Sequence, residues 1–541
     1  KSWRKYISGL TAKTPTSKVW KKIRKLSGKY SAKPHPNLKQ GQNTLTLKKD
    51  VANAFVEHYA QISTAKDTHR ILQNLDQDDR PDNMAINQDF SMRELDDTLH
   101  QLEEGKSPGE DQIDNAMLKH LPPTTKKYLL DLFNRLWSEG TFPQEWKTSI
   151  ILPILKVGKE QTDPKNYRPI SLTSNICKLL EKMVNNRLIW FLEKTQKLSP
   201  QQFGFRPGRT TIDPIAALTT DILNGFKERK TTTAVFFDLE KAFDTISRKT
   251  IISNLKEFGV TGKMLSFIHN YLKNRYIKVR IGNELSNEQA TTAGVPQGGV
   301  LSATCFLVAI NTILDTLPAG VRGSLYADDL VVYHTSRMLR TSARLLQNTI
   351  KRLENWAHAV GLRFSTTKSE VVHFWRDIRG GATREYPSLK LYNKEIPIKQ
   401  TTKFLGITLD RCLNFEHHIL SLKGESYRAI NVLKIVSAIN YGADRRTLMR
   451  LYWAICKSKL DYGSQVYSSA GSSTLKKLDP VHNEALRLCT GAFRSSPANS
   501  LQVEAGSPPL ELQRDEHCMK YIIKLESQPA YTNKLNVLDE E

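Results

Sequence analysis

Three carboxylates are placed where they could do chemistry. Asp238 closes the apolar run Ala234-Val235-Phe236-Phe237, and about ninety residues later Asp328 and Asp329 stand side by side within Leu325-Tyr326-Ala327-Asp328-Asp329-Leu330-Val331-Val332-Tyr333. Setting acids among apolar strands costs on the order of several kcal/mol per ion unless a partner compensates. A divalent cation is the natural partner. Carboxylate oxygens suit Mg²⁺, and two such ions roughly 3.5 to 4 Å apart can clamp the attacking and leaving oxygens of an in-line phosphoryl displacement. The chemistry indicated is phosphoryl or nucleotidyl transfer. Each signal taken singly has a plainer reading: an Asp-Asp pair in a hairpin is often only a turn, and an Asp after a strand is often a helix cap.

The elements that must position these acids can be read from periodicity. The 234–237 run, bounded by a Thr cluster, is expected to be a buried strand that delivers Asp238 at its end. Ile251, Leu255 and Phe258, ending at Gly259, follow helical spacing. The two short arms around Asp328 and Asp329 predict a hairpin with the acids at its tip. Helical patterns run over 51–75, 92–102 and 117–136, an apolar strand over 150–155, and an apolar helix over 301–317. A mainly helical block spans 420–525, where Leu448, Leu451, Tyr452 and Ile455 form a stripe expected to pack in the core, with Lys457 and Lys459 beyond it. Ser31 to Gln42, rich in Lys, Pro, Asn, Gly and Gln, reads as a linker. No repeat of fixed period is present. The order of helix, mixed elements and helix suggests an α+β catalytic core flanked by helical modules.

Composition narrows the partners. The 541 residues carry 79 Lys and Arg against 55 Asp and Glu, a net charge of +24, with mean hydropathy −0.44. Fourteen basic residues precede the first acid, Asp50. Within that arm Val19, Trp20, Ile23 and Leu26 define one apolar helical face between a Ser17 cap and a Gly28 stop, leaving Lys18, Lys21, Lys22, Arg24 and Lys25 on the others. Such an arm neutralises phosphates and releases counterions, so it favours nucleic acid; a solvated tail or an anionic-membrane helix are the other readings. The longest apolar stretches, such as Cys305 to Ile310, fall far short of the 18 or so residues a spanning helix needs, so no membrane partner is expected. The six cysteines are scattered without C-x-x-C or Cys/His knuckle spacing, which favours a reduced compartment. The chain starts at Lys1 and shows no basic-then-apolar leader, so it is expected to be a piece of a longer polypeptide without a secretory signal.

The ordered set of short motifs resembles the reverse transcriptases of non-LTR retrotransposons, and most closely the jockey-type elements of arthropods. In chain order the match comprises Gly105-Lys106-Ser107-Pro108-Gly109-Glu110-Asp111, Trp146-Lys147, Ile151 to Lys156, Tyr167-Arg168-Pro169-Ile170-Ser171-Leu172 and Gln202-Phe203-Gly204-Phe205-Arg206. It continues through Phe237-Asp238-Leu239-Glu240-Lys241-Ala242-Phe243-Asp244, Gly294-Val295-Pro296-Gln297-Gly298, Tyr326-Ala327-Asp328-Asp329 and Phe404-Leu405-Gly406. Agreement in order over about residues 105–410 is far more specific than any single motif.

The resemblance implies a right-hand polymerase with fingers, palm and thumb, an antiparallel palm sheet and helical flanking modules. It places a basic helical extension or linker at 1–88, fingers at 89–232, palm at 233–415 with part of the fingers interleaved, and thumb and tail at 416–541. It implies RNA-directed DNA synthesis, with Asp238, Asp328 and Asp329 as the metal-binding triad for two Mg²⁺ ions, Mn²⁺ being a substitute. Phe243 falls where the family carries an aromatic gate against the ribose 2′-hydroxyl, core packing being its other reading. Gln297 and Gly298 would lie beside the incoming nucleotide and template, or simply form a tight turn. Lys156 and Arg168 resemble finger residues that neutralise the triphosphate, Arg168 through a bidentate fork, unless they are exposed salt-bridge partners. Lys368 stands where the family has a palm lysine that protonates pyrophosphate, although the asparagine often found near it is missing; a solvated loop lysine is the alternative. The implied partners are template RNA (the element RNA), primer or target DNA and deoxynucleoside triphosphates, in the nucleus at the site of target copying after synthesis in the cytoplasm. The endonuclease and RNase H domains of family members are not evident in the sequence.

Two competing functions remain at this level. A non-catalytic nucleic-acid-binding relic would keep the shape and lose the chemistry, but all three acids, the gate position and the Pro-Gln-Gly turn are intact. A group II intron maturase or telomerase-like polymerase fits the flanks less well. Gly105-Lys106-Ser107 is not a phosphate-binding P-loop, because the glycine required five residues earlier is His100.

Overall fold

The computed structural model describes residues 36–40, 43–65, 85–376, 386–437 and 442–527. The basic arm with Lys18, Lys21, Lys22, Arg24 and Lys25 lies outside the described residues. In chain order the strands are β1 (Leu38–Gln40), β2 (Asn43–Leu45), β3 (Thr148–Leu155), β4 (Tyr167–Leu172), β5 (Thr231–Phe237), β6 (Arg275–Ile281), β7 (Glu284–Leu285), β8 (Gln289–Thr291), β9 (Arg322–Tyr326), β10 (Asp329–Ser336), β11 (Glu370–Phe374), β12 (Lys390–Leu391), β13 (Lys394–Glu395), β14 (Ile398–Lys399), β15 (Thr401–Phe404) and β16 (Ile407–Asp410).

A central sheet in the order β14-β11-β5-β10-β9 holds the acid-bearing strands. Its apolar strands lack a polar face because both faces are covered. Val235, Phe237, Leu330, Val332 and Val371 enter one core with the helices Asn175–Lys194, Val300–Ile310 and Leu339–Val360. Their neighbours Ala234, Phe236, Val331, Val372 and Phe374 enter a second core with the C-terminal helices. Side chains alternate across a strand, so a continuous apolar run feeds two cores at once. The sheet is antiparallel except at its edge, where β14 pairs parallel with β11; the fully antiparallel sheet expected from the sequence is corrected there.

A second sheet, β4-β3-β6-β7 with β8 also on β6, stands beside it, and its β3 and β6 are parallel. The helix Lys48–Ile62 lies against this sheet, burying Val51, Phe55, Val56 and Tyr59 with Ile151, Tyr167 and Val279 in a third core. The expected linker is therefore structured where it is described, Leu38–Gln40 pairing with Asn43–Leu45 as a hairpin.

Several expected boundaries shift for local reasons. The helix predicted over 51–75 ends at Ile62, capped by Ser63. The one predicted over 117–136 is two helices, Asn115–Lys119 and Pro123–Glu139, because the Pro122-Pro123 pair cannot continue the first but can start the second. The 301–317 helix tightens at Asn311 into a 3₁₀ segment ending at Thr316. Leu448, Leu451, Tyr452 and Ile455 are buried, as expected. Lys457 and Lys459 are engaged in ion pairs with Asp461 and Glu425. Among the described residues no helix is long and apolar enough to cross a membrane, and all six cysteines are free thiols.

Candidate active site

Two adjacent strands deliver the acids. β5 ends at Phe237, so Asp238 leaves the sheet at its rim. β10 runs antiparallel beside it, with Leu330 opposite Phe237, so Asp329 stands one step beyond that pair at the same rim. Asp329 pairs with Tyr326 across the β9–β10 hairpin. Ala327 and Asp328 form its two-residue tip, with Ala327 at φ 55°, a conformation that is uncommon for a residue with a side chain.

That tip is braced from outside the hairpin. The Phe203 N–H donates to Leu325 O at 2.8 Å and the Leu325 N–H to Gln201 O at 2.9 Å. Gly204 follows directly, and a Cβ there would lie 2.3 Å from Ala327 N. Only glycine admits so close a backbone approach. The Gln202-Phe203-Gly204 motif thus acts as a buttress under the acid turn, a role that chain order alone did not disclose.

The carboxylates sense one another. Burial pushes the Asp329 carboxyl up to about 6, with Asp328 and Asp238 adding to the effect. Asp328 is also raised, first by burial and then by Asp238, while Lys368 and Arg168 oppose the shift. The mutual repulsion of these buried acids is what a divalent cation would relieve, and an all-oxygen donor set suits Mg²⁺. In donor chemistry Asp238, Asp328 and Asp329 fit such an ion. Among the described residues, however, no three His, Cys, Asp or Glu side chains are arranged as a group that could hold a metal. Asp238 is engaged otherwise: its Oδ2 accepts a hydrogen bond from Lys368 Nζ at 2.9 Å.

Lys368 arrives through a backbone splice. The Ser365 N–H donates to Asp238 O at 2.8 Å, the Glu240 N–H to Arg363 O at 2.8 Å, and Leu239 bridges Phe364. Other cations gather nearby. Arg168 is exposed on β4, opposite Ile154 of β3. Lys156 follows β3 and donates through Nζ to Lys165 O at 2.9 Å. Burial lowers the Lys156 ammonium, and Lys368, Arg168 and Lys241 lower it further. Lys241 was not singled out from the sequence, although it lies within the Phe237–Asp244 motif; its membership in this basic group depends on the turn at φ 49° that follows β5.

The remaining candidates are Phe243, Gln297 and Gly298. Phe243 is half-buried, its ring stacked on Phe306 at 4.3 Å and edge-on to Phe205 at 6.2 Å. One face of the ring is therefore core packing. The Gly294–Gly298 loop is strapped to the turn carrying Phe243: Val295 N–H donates to Phe243 O and Gly294 N–H to Ile246 O, both at 2.8 Å. Gln297 O accepts from Ser171 N–H at 2.8 Å, which ties the loop to β4 as well. Gly298, at φ 123°, lies where a Cβ would be 2.7 Å from Ser171 O. The turn reading and close backbone approach hold together at this glycine.

Comparison with known proteins places this site in context. The family model described as reverse transcriptase (RNA-dependent DNA polymerase) matches residues 154–409. The chain is 28% identical over 487 residues to "Probable RNA-directed DNA polymerase from transposon BS" of Drosophila melanogaster, covering 88% of this chain and 53% of that protein. It is 27% identical to "RNA-directed DNA polymerase from mobile element jockey" of the same organism, over 81% of this chain and 48% of the relative. With "Probable RNA-directed DNA polymerase from transposon X-element", also from Drosophila melanogaster, it shares 28% identity over 78% and 46%. The chain spans about half the length of these curated relatives.

Proposed function

Since this chain belongs to the jockey-like reverse transcriptases of non-LTR retrotransposons, we propose that it extends a DNA 3′-hydroxyl on an RNA template, taking deoxynucleoside triphosphates as substrates. The observation that carries this reading is the meeting of Asp238, Asp328 and Asp329 at one rim of the sheet, beside the basic group of Lys156, Arg168, Lys241 and Lys368. Asp238, Asp328 and Asp329 would hold two Mg²⁺ ions, which supply charge neutralisation at the reacting phosphate and activation of the primer hydroxyl when bound. Asp238 would share its carboxylate between an ion and Lys368, whose ammonium pairs with Oδ2.

The chain's own residues orient and neutralise. Arg168 offers a planar fork to phosphate oxygens, and Lys156 and Lys241 add charge that costs no reorganisation when negative charge develops. Gln297 and Gly298 wall the nucleotide on the side of β4, and the exposed part of Phe243 would stand against the ribose 2′ position. Lys368 is within reach of the acids and would hand a proton to the departing pyrophosphate. In this reading residues 89–232 form the fingers, 233–415 the palm with part of the fingers, the strand β6, interleaved, and 416–541 the thumb and tail. The 1–88 segment is the basic extension, and its 48–62 helix covers the finger sheet.

The test is primer extension by the purified chain with Mg²⁺ on an RNA template. Templated DNA synthesis is expected. Asp328→Asn should lower the rate by about three orders of magnitude, since the protein's charge placement is its main lever on phosphoryl transfer. RNA affinity should change little, because phosphate contacts dominate it. No extension by the native chain over a range of templates would leave the non-catalytic relic as the better account.

A further inference from the structure

One acid in the neighbourhood has no part in the metal or phosphate chemistry. Asp244 lies in the short helix Ala242–Thr245 after Phe243, and its Oδ1 accepts a hydrogen bond from Gln297 Nε2 at 2.9 Å. A carboxylate only accepts, so this contact settles which end of the Gln297 carboxamide is which: nitrogen toward Asp244, oxygen away. The pair lines a small cleft of about 40 Å³, together with Tyr59, Ser171 and Arg248. Arg248 is buried beneath it and donates to the carbonyls of Thr291, Ala293 and Gly294 at 2.7 to 3.0 Å. Tyr59, from the helix Lys48–Ile62, brings a buried hydroxyl with no hydrogen-bond partner among the described residues. The Ser63 carbonyl, just past that helix, accepts from the Thr292 and Ala293 N–H groups at 3.0 and 2.8 Å.

The backbone of the 292–298 loop is thus held from three sides without Asp244. What Asp244 alone controls is the rotation of one side-chain amide. A glutamine amide is broad and roughly two-fold in its last torsion, so an unpartnered Gln297 would present oxygen or nitrogen with little preference. We propose that Asp244 is a positioning residue for nucleotide binding, whose carboxylate locks the Gln297 carboxamide with its oxygen turned away from Asp244 and available to the sugar hydroxyl of the incoming deoxynucleotide. The inference rests on the polymerase reading, through Gln297.

The experiment is steady-state single-nucleotide incorporation by the full chain, with the native protein run first. Extension by the native chain keeps the polymerase reading, and the Asp244 variants then decide the inference separately; a folded native chain that never extends a primer ends both. Asp244→Ala is expected to raise KM for the deoxynucleotide about tenfold, as loss of a hydrogen bond to a charged group does, with kcat changed less than about threefold. Asp244→Asn, which keeps an acceptor oxygen in place, should recover most of that loss. In Gln297→Ala, adding Asp244→Ala should cost nothing further in KM, because the effect of Asp244 passes through the amide. If Asp244→Ala does not fold, Asp244→Ser, too short to reach Gln297, takes its place in the same comparison. Equal damage from the Asn and Ala variants, additive losses in the double variant, or an unchanged KM would overturn the proposal.

Discussion

Lys368 Nζ lies 2.9 Å from Asp238 Oδ2, an ion pair formed between residues 130 positions apart. The backbone splice of 238–240 onto 363–365 brings the two segments together, and the contact puts an ammonium directly on one of three neighbouring acids. The same contact that balances charge in the resting protein holds Lys368 beside the acids proposed to carry the chemistry.

Lys368→Ala should separate these roles. The side chain of Lys368 is 68% exposed, and exposed ion pairs contribute roughly 0–1 kcal/mol, so the melting temperature should barely move. Single-nucleotide incorporation should fall by about 100-fold, at the lower end of what a positioned general acid contributes. Lys368→Arg should keep the pairing yet fail to restore the rate, since a guanidinium does not give up its proton. A full rescue by Arg would show that charge, rather than proton transfer, is what the site uses.

Gly204→Ala tests the buttress. The added methyl would meet Ala327 N at 2.3 Å, and backbone cannot swing aside as a side chain can. Overpacking of this kind costs about 1–3 kcal/mol, which a chain of this size should survive. The displaced turn carries Asp328, so primer extension should drop more than about tenfold, as expected when reacting groups are misplaced by an ångström or so. Circular dichroism melts and extension assays on the same preparation read both effects; native activity in the variant would show that the turn is not set by this contact.

The acids predict a pH dependence for magnesium binding. Asp329 titrates at about 6 in the folded chain against an ordinary 3.8. The folded state therefore holds more protons than the unfolded state between about pH 4 and 6. The group's stabilising effect is present below about 4 and is lost as pH rises through 6. Magnesium binds the ionised form, so its stabilisation should run the other way. Thermal melts with and without Mg²⁺ should show an upward shift at pH 7.5 that fades below about pH 6. Asp329→Asn should flatten that profile, and a shift independent of pH would argue against these acids as the magnesium site.

The basic arm precedes every described core residue in the chain. Leu38 and the helix Lys48–Ile62 are packed in place, so removal of residues 1–35 should leave the melting temperature nearly unchanged. The slope of log affinity for RNA against log salt should become shallower, because every phosphate left unneutralised takes roughly 0.7 to 0.9 off its magnitude. An unchanged slope would show that the arm does not touch RNA. Truncation to residue 65 should instead destabilise the chain, through exposure of Ile151, Tyr167 and Val279.

Much of the acid-bearing rim was legible in order along the chain. Asp238 at the end of an apolar strand and Asp328-Asp329 at a hairpin tip both follow from local periodicity, and local periodicity is what a strand or a tight turn obeys. Helix boundaries were less so: the Pro122-Pro123 break is visible as composition but is masked by the longer apolar pattern around it. Asp244 stands within a recognisable motif, yet its role is hidden there, because it depends on Gln297, which reaches it only when the 294–298 loop is strapped to the 243–246 turn. The signal that could have found it is a further acid on the motif that already supplies Asp238.

By itself the sequence determined which residues are apolar, acidic or glycine, and hence the strand run before Asp238, the acid hairpin, the excess of basic charge and the ordered motifs shared with a polymerase family. Those properties are carried by neighbours in the chain. Only the tertiary structure decided that Lys368 pairs with Asp238, that Gly204 lies under Ala327, that the 48–62 helix seals the second sheet, and that Asp244 holds Gln297. Each of these joins segments whose separation along the chain carries no local signal, and their meeting depends on the burial of the three cores that pack the helices against the two sheets.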